Sequence, residues 1–150
     1  IIFRKYILDA LLSIQNDIVI VVDALFKKKK KGYEKDLVIC DRPFTGNYLL
    51  EKKPANLKCI CLDEKKCKID GQWIGLIKTN SRGSKIISDE IKRLSKHKKF
   101  GSLTIPDLFN SLIKKKKKIS VLYIAGQWLD VNNVFDLAEA RKVSWAKSFL

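Results

Sequence analysis

Two hydrophobic periods alternate along the chain. After Tyr6, apolar residues at positions 7, 8, 11, 12 and 14 recur at helical spacing, and the run that follows, DIVIVVD, is continuous and β-branched. That pair predicts a helix leading into a buried strand. DLVIC, LKCICL, GQWIGLIK and ISVLYIA predict further strands, with a turn-rich stretch, DRPFTGNY, after the first and a turn over residues 68–71. SKIISDEIKRLSKHKK predicts a longer helix with Ile86, Ile87, Ile91 and Leu94 on one face and basic residues at its carboxyl end, where they suit the macrodipole. Thr104 is the expected cap of a second helix, TIPDLFNSLI, in which Pro106 and Asp107 are favourable in the first turn. NNVFDLAEARKV predicts a last helix, opened by Asn, with Asp136 and Glu139 early and Arg141 and Lys142 late.

Helices alternating with apolar strands argue an α/β fold of packed layers. At 150 residues and 46% hydrophobic content, one domain with a sizeable core is expected, and no linker interrupts it. No apolar run reaches membrane-spanning length, and IIFRKYILDALL lacks the regions of a secretory signal, so a soluble cytoplasmic protein is the expectation. The opening IIF reads as part of a strand and the chain contains no Met, which suggests a piece of a longer protein.

The net charge of +15 raises the question of nucleic acid. Two lysine runs, residues 27–31 and 114–118, supply ten of those charges and leave +5 for the rest. Each run lies between core elements and neither is interleaved with stacking aromatics, so solvated loop charge is the preferred reading. Cys40, Cys59, Cys61 and Cys67 lack the spacing of a paired C-x-x-C zinc site and are expected as reduced thiols in or beside strands.

The chain contains no G-x-S-x-G, no G-x-x-x-x-G-K-[ST] and no G-x-G-x-x-G. Its one histidine, His97, lies in a lysine-rich helix end, which disfavours a Ser-His-Asp or Cys-His centre. What remains is an α/β scaffold with carboxylates at strand ends, the donors that hold a hard cation against phosphate. Asp130, behind ISVLYIA, and Asp23, closing DIVIVVD, are the candidates. Asp130 has a second reading, as the residue that opens the helix beginning near Asn132 and Asn133. Gly-Gln-Trp occurs twice, at residues 71–73 and 126–128, so Trp73 and Trp128 are expected either around one cleft or as two separate core residues.

ISVLYIAGQWLDVNNVFDLAEARK resembles the carboxyl-terminal segment of the small-molecule nucleotidyltransferases: an apolar strand, a G-x-W, a metal-binding Asp, an Asn-containing turn and a helix of D-L-x-x-A type. GQWIGLIKTNSRGSKII resembles the central strand-to-helix passage of the same group, and the similarity runs over nearly all of residues 1–149. It is closest to the phosphonate cytidylyltransferases, often fused behind phosphoenolpyruvate mutase, and the related phosphocholine cytidylyltransferases. The resemblance implies a three-layer nucleotidyltransferase-like fold with a mixed sheet, of which residues 1–150 are the carboxyl-terminal part. The Gly-rich triphosphate loop and a first metal-binding Asp, in Y-G-D, would lie ahead of Ile1. It further implies Mg²⁺ as cofactor, CTP and a small phosphonate or phosphate acceptor as substrates, and Asp130 as the catalytic metal ligand. Trp128, Asn132, Gln72, Trp73, Asp23 and Arg42 are the implied substrate-side candidates. The family often has Glu at the place of Gln72 and His at that of Gln127, so recognition of the acceptor's charge departs from the pattern here. The alternative is a non-catalytic basic α/β module for acidic partners or nucleic acid.

Overall fold

The computed structural model describes residues 1–25, 36–46, 54–61 and 68–142. The lysine run 27–31, Cys67 and the end of DRPFTGNY lie outside the described residues.

The element order is β1 (Ile2–Phe3), α1 (Lys5–Ser13), β2 (Ile18–Asp23), β3 (Leu37–Cys40), β4 (Ala55–Cys61), β5 (Gly71–Thr79), α2 (Ser81–Leu94), α3 (Ile105–Lys114), β6 (Ser120–Ile124), β7 (Trp128–Leu129) and α4 (Val134–Lys142). Every strand and helix that the hydrophobic periods predict within the described residues is present. Thr104 caps α3 in a reciprocal box with Asp107, and Asn80 caps α2 by accepting from the Gly83 N–H.

The class is mixed α/β. β2 pairs β6 in parallel and β5 antiparallel; β3 pairs β5 and β4, and β4 pairs β6, all antiparallel. The five strands close into a barrel in the order β2-β5-β3-β4-β6. Closure is narrow, because β3 meets β5 at two residue pairs and β4 meets β6 at two. A separate short ribbon joins β1 to β7.

β2 explains why this sequence makes a core. All six of its residues are buried, which is why DIVIVVD reads as a continuous apolar run. Successive side chains on a strand point to opposite faces. Ile18, Ile20 and Val22 join one cluster with Phe109 and Leu112 of α3, whereas Val19 and Val21 join a second with Ile7 and Leu11 of α1. Each fully buried aliphatic side chain contributes about 1.5–3 kcal/mol, so β2 anchors helices on both of its faces. Close approach is needed where α2 begins: a Cβ on Gly83 would stand 1.9 Å from the Asp17 carbonyl oxygen, so only glycine lets this turn meet the start of β2.

Candidate functional site

β2, β3 and β6 share one direction, and their carboxyl ends carry Asp23, the Asp41–Arg42 turn and the loop leading to Asp130. The β6–β7 loop turns sharply through two consecutive left-handed residues, Gly126 (φ +69) and Gln127 (φ +66). Gly126 tolerates that backbone freely; Gln127 does not, so something must hold it.

Asp23 does the holding. It is 6% exposed. Its Oδ1 accepts from the Gly126 N–H at 3.0 Å and the Leu25 N–H at 2.9 Å, and its Oδ2 accepts from the Trp128 indole N–H at 2.8 Å. From the other side the Gln127 carbonyl accepts from the Arg4 N–H at 3.2 Å, and Trp128 pairs with Phe3. Gln72 lies opposite Asp23 in the β2–β5 register and is half-buried.

Asp130 follows β7 and is exposed, with no hydrogen bond or ion pair among the described residues. It does not open α4. That role belongs to Asn133, whose Oδ1 accepts from the N–H groups of Phe135 at 2.9 Å and Asp136 at 3.0 Å, while Asp136 reaches back to the Asn132 N–H. The helix-opening reading of Asp130 is therefore corrected: the chain reserves a nearer oxygen for the cap. Asn132 itself is exposed.

The two Gly-Gln-Trp tryptophans do not share a cleft. Trp73 belongs to the α3-side cluster, with its ring edge-on to Phe109 at 5.2 Å, and its indole N–H donates to the Leu76 carbonyl. Trp128 packs on the α1-side cluster. The two indoles thus lie with different clusters, Trp73 with Ile18, Ile20 and Val22 and Trp128 with Val19 and Val21, and the shared-pocket expectation falls with it.

Arg42 is held within the fold. Its Nη2 donates to the Pro54 carbonyl at 2.7 Å, and its own carbonyl accepts from the Tyr123 hydroxyl at 2.8 Å. Cys40, Cys59 and Cys61 are free thiols in β3 and β4. Burial pushes the Cys40 thiol up to about 12 and raises Tyr123 as well, so neither supplies a nucleophile near neutral pH.

Among the described residues no group of three His, Cys, Asp or Glu side chains could hold a metal ion. Mg²⁺ in nucleotide sites takes one or two protein carboxylates and completes its shell with water and phosphate. Asp130, exposed and uncommitted, fits such a donor set. Asp23 does not, because both its oxygens already face N–H donors.

Two features escaped sequence reasoning. The Asp23 clamp on the β6–β7 loop has no local signature, since Gly126 and Trp128 are more than a hundred residues away and only its bond from the Leu25 N–H is local. Glu90, 4% exposed, is bound by Arg93, Ser111 and Lys115, and joins α2 to α3. Its only sequence trace is a glutamate seven residues after Gly83 and three before an arginine.

Compared with models of known protein families and with curated protein sequences, the chain matches none. Among the described residues no helix is long and apolar enough to cross a membrane.

Proposed function

We propose that the chain is the carboxyl-terminal part of a nucleotidyltransferase domain that transfers a cytidylyl group from CTP to a phosphonate or phosphate such as 2-aminoethylphosphonate or phosphocholine, releasing pyrophosphate. The observation that carries the reading is Asp130: an exposed carboxylate with no partner among the described residues, set two residues beyond an indole that a buried aspartate locks in place. A carboxylate that leaves the helix cap to Asn133 and pairs with none of the described residues is available to a ligand.

In this reading the acceptor oxygen attacks the α-phosphorus of CTP in line; the new P–O bond forms as the bond to pyrophosphate breaks. The acceptor is already anionic, so the demand on the protein is positioning and charge neutralisation rather than a protein nucleophile. Mg²⁺, when bound, would neutralise phosphate charge as the reactants meet. Asp130 would ligate it directly or through water. Asp23 acts one step back, as a positioning residue that fixes Trp128 and hence the run to Asp130. Trp128, Gln72 and Asn132 border the acceptor side. Arg42, committed to Pro54 and Asp41, and Trp73, buried under Phe109, are the weaker substrate candidates.

The three-layer form of the fold goes with the same proposal, and apolar clusters on both faces of β2 support it. Barrel closure does not follow from it. The alternative, a basic docking module, draws less support from the second lysine run, because Lys115 is paired with Glu90 and Lys116 forms the turn that ends α3.

The test is pyrophosphate release in a chain extended ahead of Ile1 by the family's Gly-rich loop and Y-G-D strand. Turnover is expected with CTP, Mg²⁺ and one of the two acceptors, and Asp130→Asn is expected to lower it by about a hundredfold, the scale of one preorganised electrostatic contact. Near-normal turnover in Asp130→Asn rejects the reading.

A further inference from the structure

β4 carries two cysteines that the proposed chemistry leaves unused. Cys59 and Cys61 stand two positions apart on this strand, so both project to one face while Ile60 between them turns into the core cluster with α3. Their sulfurs are 3.3 Å apart, and both residues are half-buried, whereas Cys40 is buried. The pairing of β3 with β4 is regular here: Leu37 lies opposite Cys61 and Ile39 opposite Cys59, and the register shifts only beyond them, between Ile39 and Cys40. Leu37 and Ile39 therefore give the thiols an apolar flank. The backbone between the two sulfurs is fixed from α3, because the Asn110 side chain accepts from the Ile60 N–H and donates to the Ile60 carbonyl, both at 2.9 Å.

Regular strand geometry decides what such a pair can do. Residues two apart on an antiparallel strand are separated by two rises, about 6.8 Å, and their Cβ atoms on one face keep about that spacing. A disulfide needs Cβ atoms about 3.5–4.5 Å apart, so Cys59 and Cys61 cannot join unless the strand gives up its pairing. An ion between the sulfurs asks for less. Two metal–sulfur bonds of about 2.3 Å in line put the sulfurs about 4.6 Å apart, inside the Cβ spacing, and a small outward swing of both Cβ–S bonds provides it. Two ligands are too few for zinc, which takes four, and among the described residues no group of three His, Cys, Asp or Glu is assembled. They are enough for a soft monovalent d¹⁰ ion, which thiolates select and which two donors satisfy in line.

We propose that Cys59 and Cys61 form a two-coordinate site for a soft monovalent ion of the copper(I) class. Binding replaces two S–H bonds by one S–Cu–S bridge: both protons leave to water, no electron is transferred, and the complex carries one net negative charge. That charge suits its surroundings, since the chain is +15 and Lys58, next to Cys59, is exposed. Nothing in this site depends on the transferase reading.

The test is anaerobic titration of the reduced 150-residue protein with Cu⁺ held by the chromogenic chelator bicinchoninate, so that only a competitive site removes the metal. One equivalent per chain is expected, with a thiolate-to-copper absorption in the near ultraviolet and two of the four thiols protected from a thiol reagent. Tm is expected to rise with the bound ion, because the folded strand holds the pair together. Cys59→Ser and Cys61→Ser should each weaken binding by more than about a hundredfold, beyond the loss of an outer contact, while Cys40→Ser and Cys67→Ser leave it within about threefold. If Cys40→Ser fails to fold, Cys67→Ser and the thiol count decide. Failure to take Cu⁺ from the chelator overturns the proposal. So does an affinity unchanged in Cys59→Ser or Cys61→Ser, and so does a loss in Cys67→Ser as large as theirs, which would move the site off the strand pair. A Tm lowered by Cu⁺ would assign the ion to the unfolded chain, and a disulfide between Cys59 and Cys61 formed under diamide at unchanged Tm would remove the geometric ground; either result also rejects the site.

Discussion

Both oxygens of Asp23 accept from N–H groups, so its effect on the site is tested best by keeping its shape. In Asp23→Asn one oxygen can still face Gly126 and Leu25, but the amide NH₂ then meets the Trp128 indole N–H, donor against donor. We expect a loss of about 1.5–3 kcal/mol, the scale of a buried charge-assisted bond, with a shifted Trp128 indole resonance as the specific sign; an unchanged resonance and melting curve would remove the clamp. Asp130→Asn is expected to leave stability within about 0.5 kcal/mol, since the side chain is exposed and has no partner among the described residues. Lys116 offers a change in the other direction. It sits at φ +58 where α3 ends, with the Lys116 and Lys117 N–H groups returning to the Ile113 and Leu112 carbonyls, a turn that favours glycine. Lys116→Gly is expected to stabilise by about 0.5–1 kcal/mol, read as a raised Tm, the relief of left-handed strain exceeding glycine's entropy cost. These roles were unevenly legible in the sequence. Asp130 stands out in the sequence by its place after an apolar strand, but Asn133 had to be seen accepting two N–H bonds before capping could be assigned to one and not the other.

Helices α2 and α3 show where periodicity stops being enough. The apolar stripe of α2 is real, yet Ile91 is half-exposed while Gly83 and Glu90, seven residues apart, are its buried positions. Spacing identifies an apolar face; it does not say which part of that face a neighbouring helix covers. Glu90 is tolerated inside because Arg93 donates at 2.7 Å and Ser111 at 2.6 Å, with Lys115 completing the set. Foremost the hydrogen bonds from Arg93, opposed by desolvation and aided by Lys115 and Ser111, hold its carboxyl down to about 2, from an ordinary value of 4.5. A carboxyl depressed in the folded state binds its proton more readily on unfolding. Its stabilisation is therefore complete above about pH 4.5 and is lost as pH falls toward 2. Glu90→Gln is expected to destabilise the protein by about 1.5–3 kcal/mol at neutral pH and to flatten the stability profile across that acidic window; urea unfolding of both proteins at several pH values checks it. A mutant profile as steep as the wild type would place the acid-sensitive group elsewhere.

At the scale of the molecule, β2 is the element that the other parts depend on, and its burial on both faces was readable from six consecutive apolar and acidic letters. Its neighbours were not. That β6 lies parallel beside it depends on pairings such as Val19 with Ser120, and that β3 and β4 close a narrow ring depends on pairings such as Leu37 with Gln72 and Ala55 with Val121, on all of which local propensity is silent. The net charge is legible, and its consequence differs from a simple basic patch. With +15 on 17.2 kDa, self-repulsion opposes the compact state, and salt screens it, the Debye length falling from about 10 Å at 0.1 M to about 3 Å at 1 M. Salt also weakens the Glu90 ion pairs, but these are few and partly buried, where screening is less effective. The repulsion term should win, so Tm is expected to rise with sodium chloride by a few degrees. Within the run 114–118 the lysines then divide. Lys118→Gln removes an exposed charge with no ion pair among the described residues, and should raise Tm at low salt while reducing the salt response. Lys115→Gln removes a partner of Glu90 and should lower Tm at every salt concentration. Melting curves of the two variants at low and high salt decide the matter: a parallel response from both would mean that the run acts as undifferentiated surface charge and that the α2–α3 clasp does not depend on Lys115.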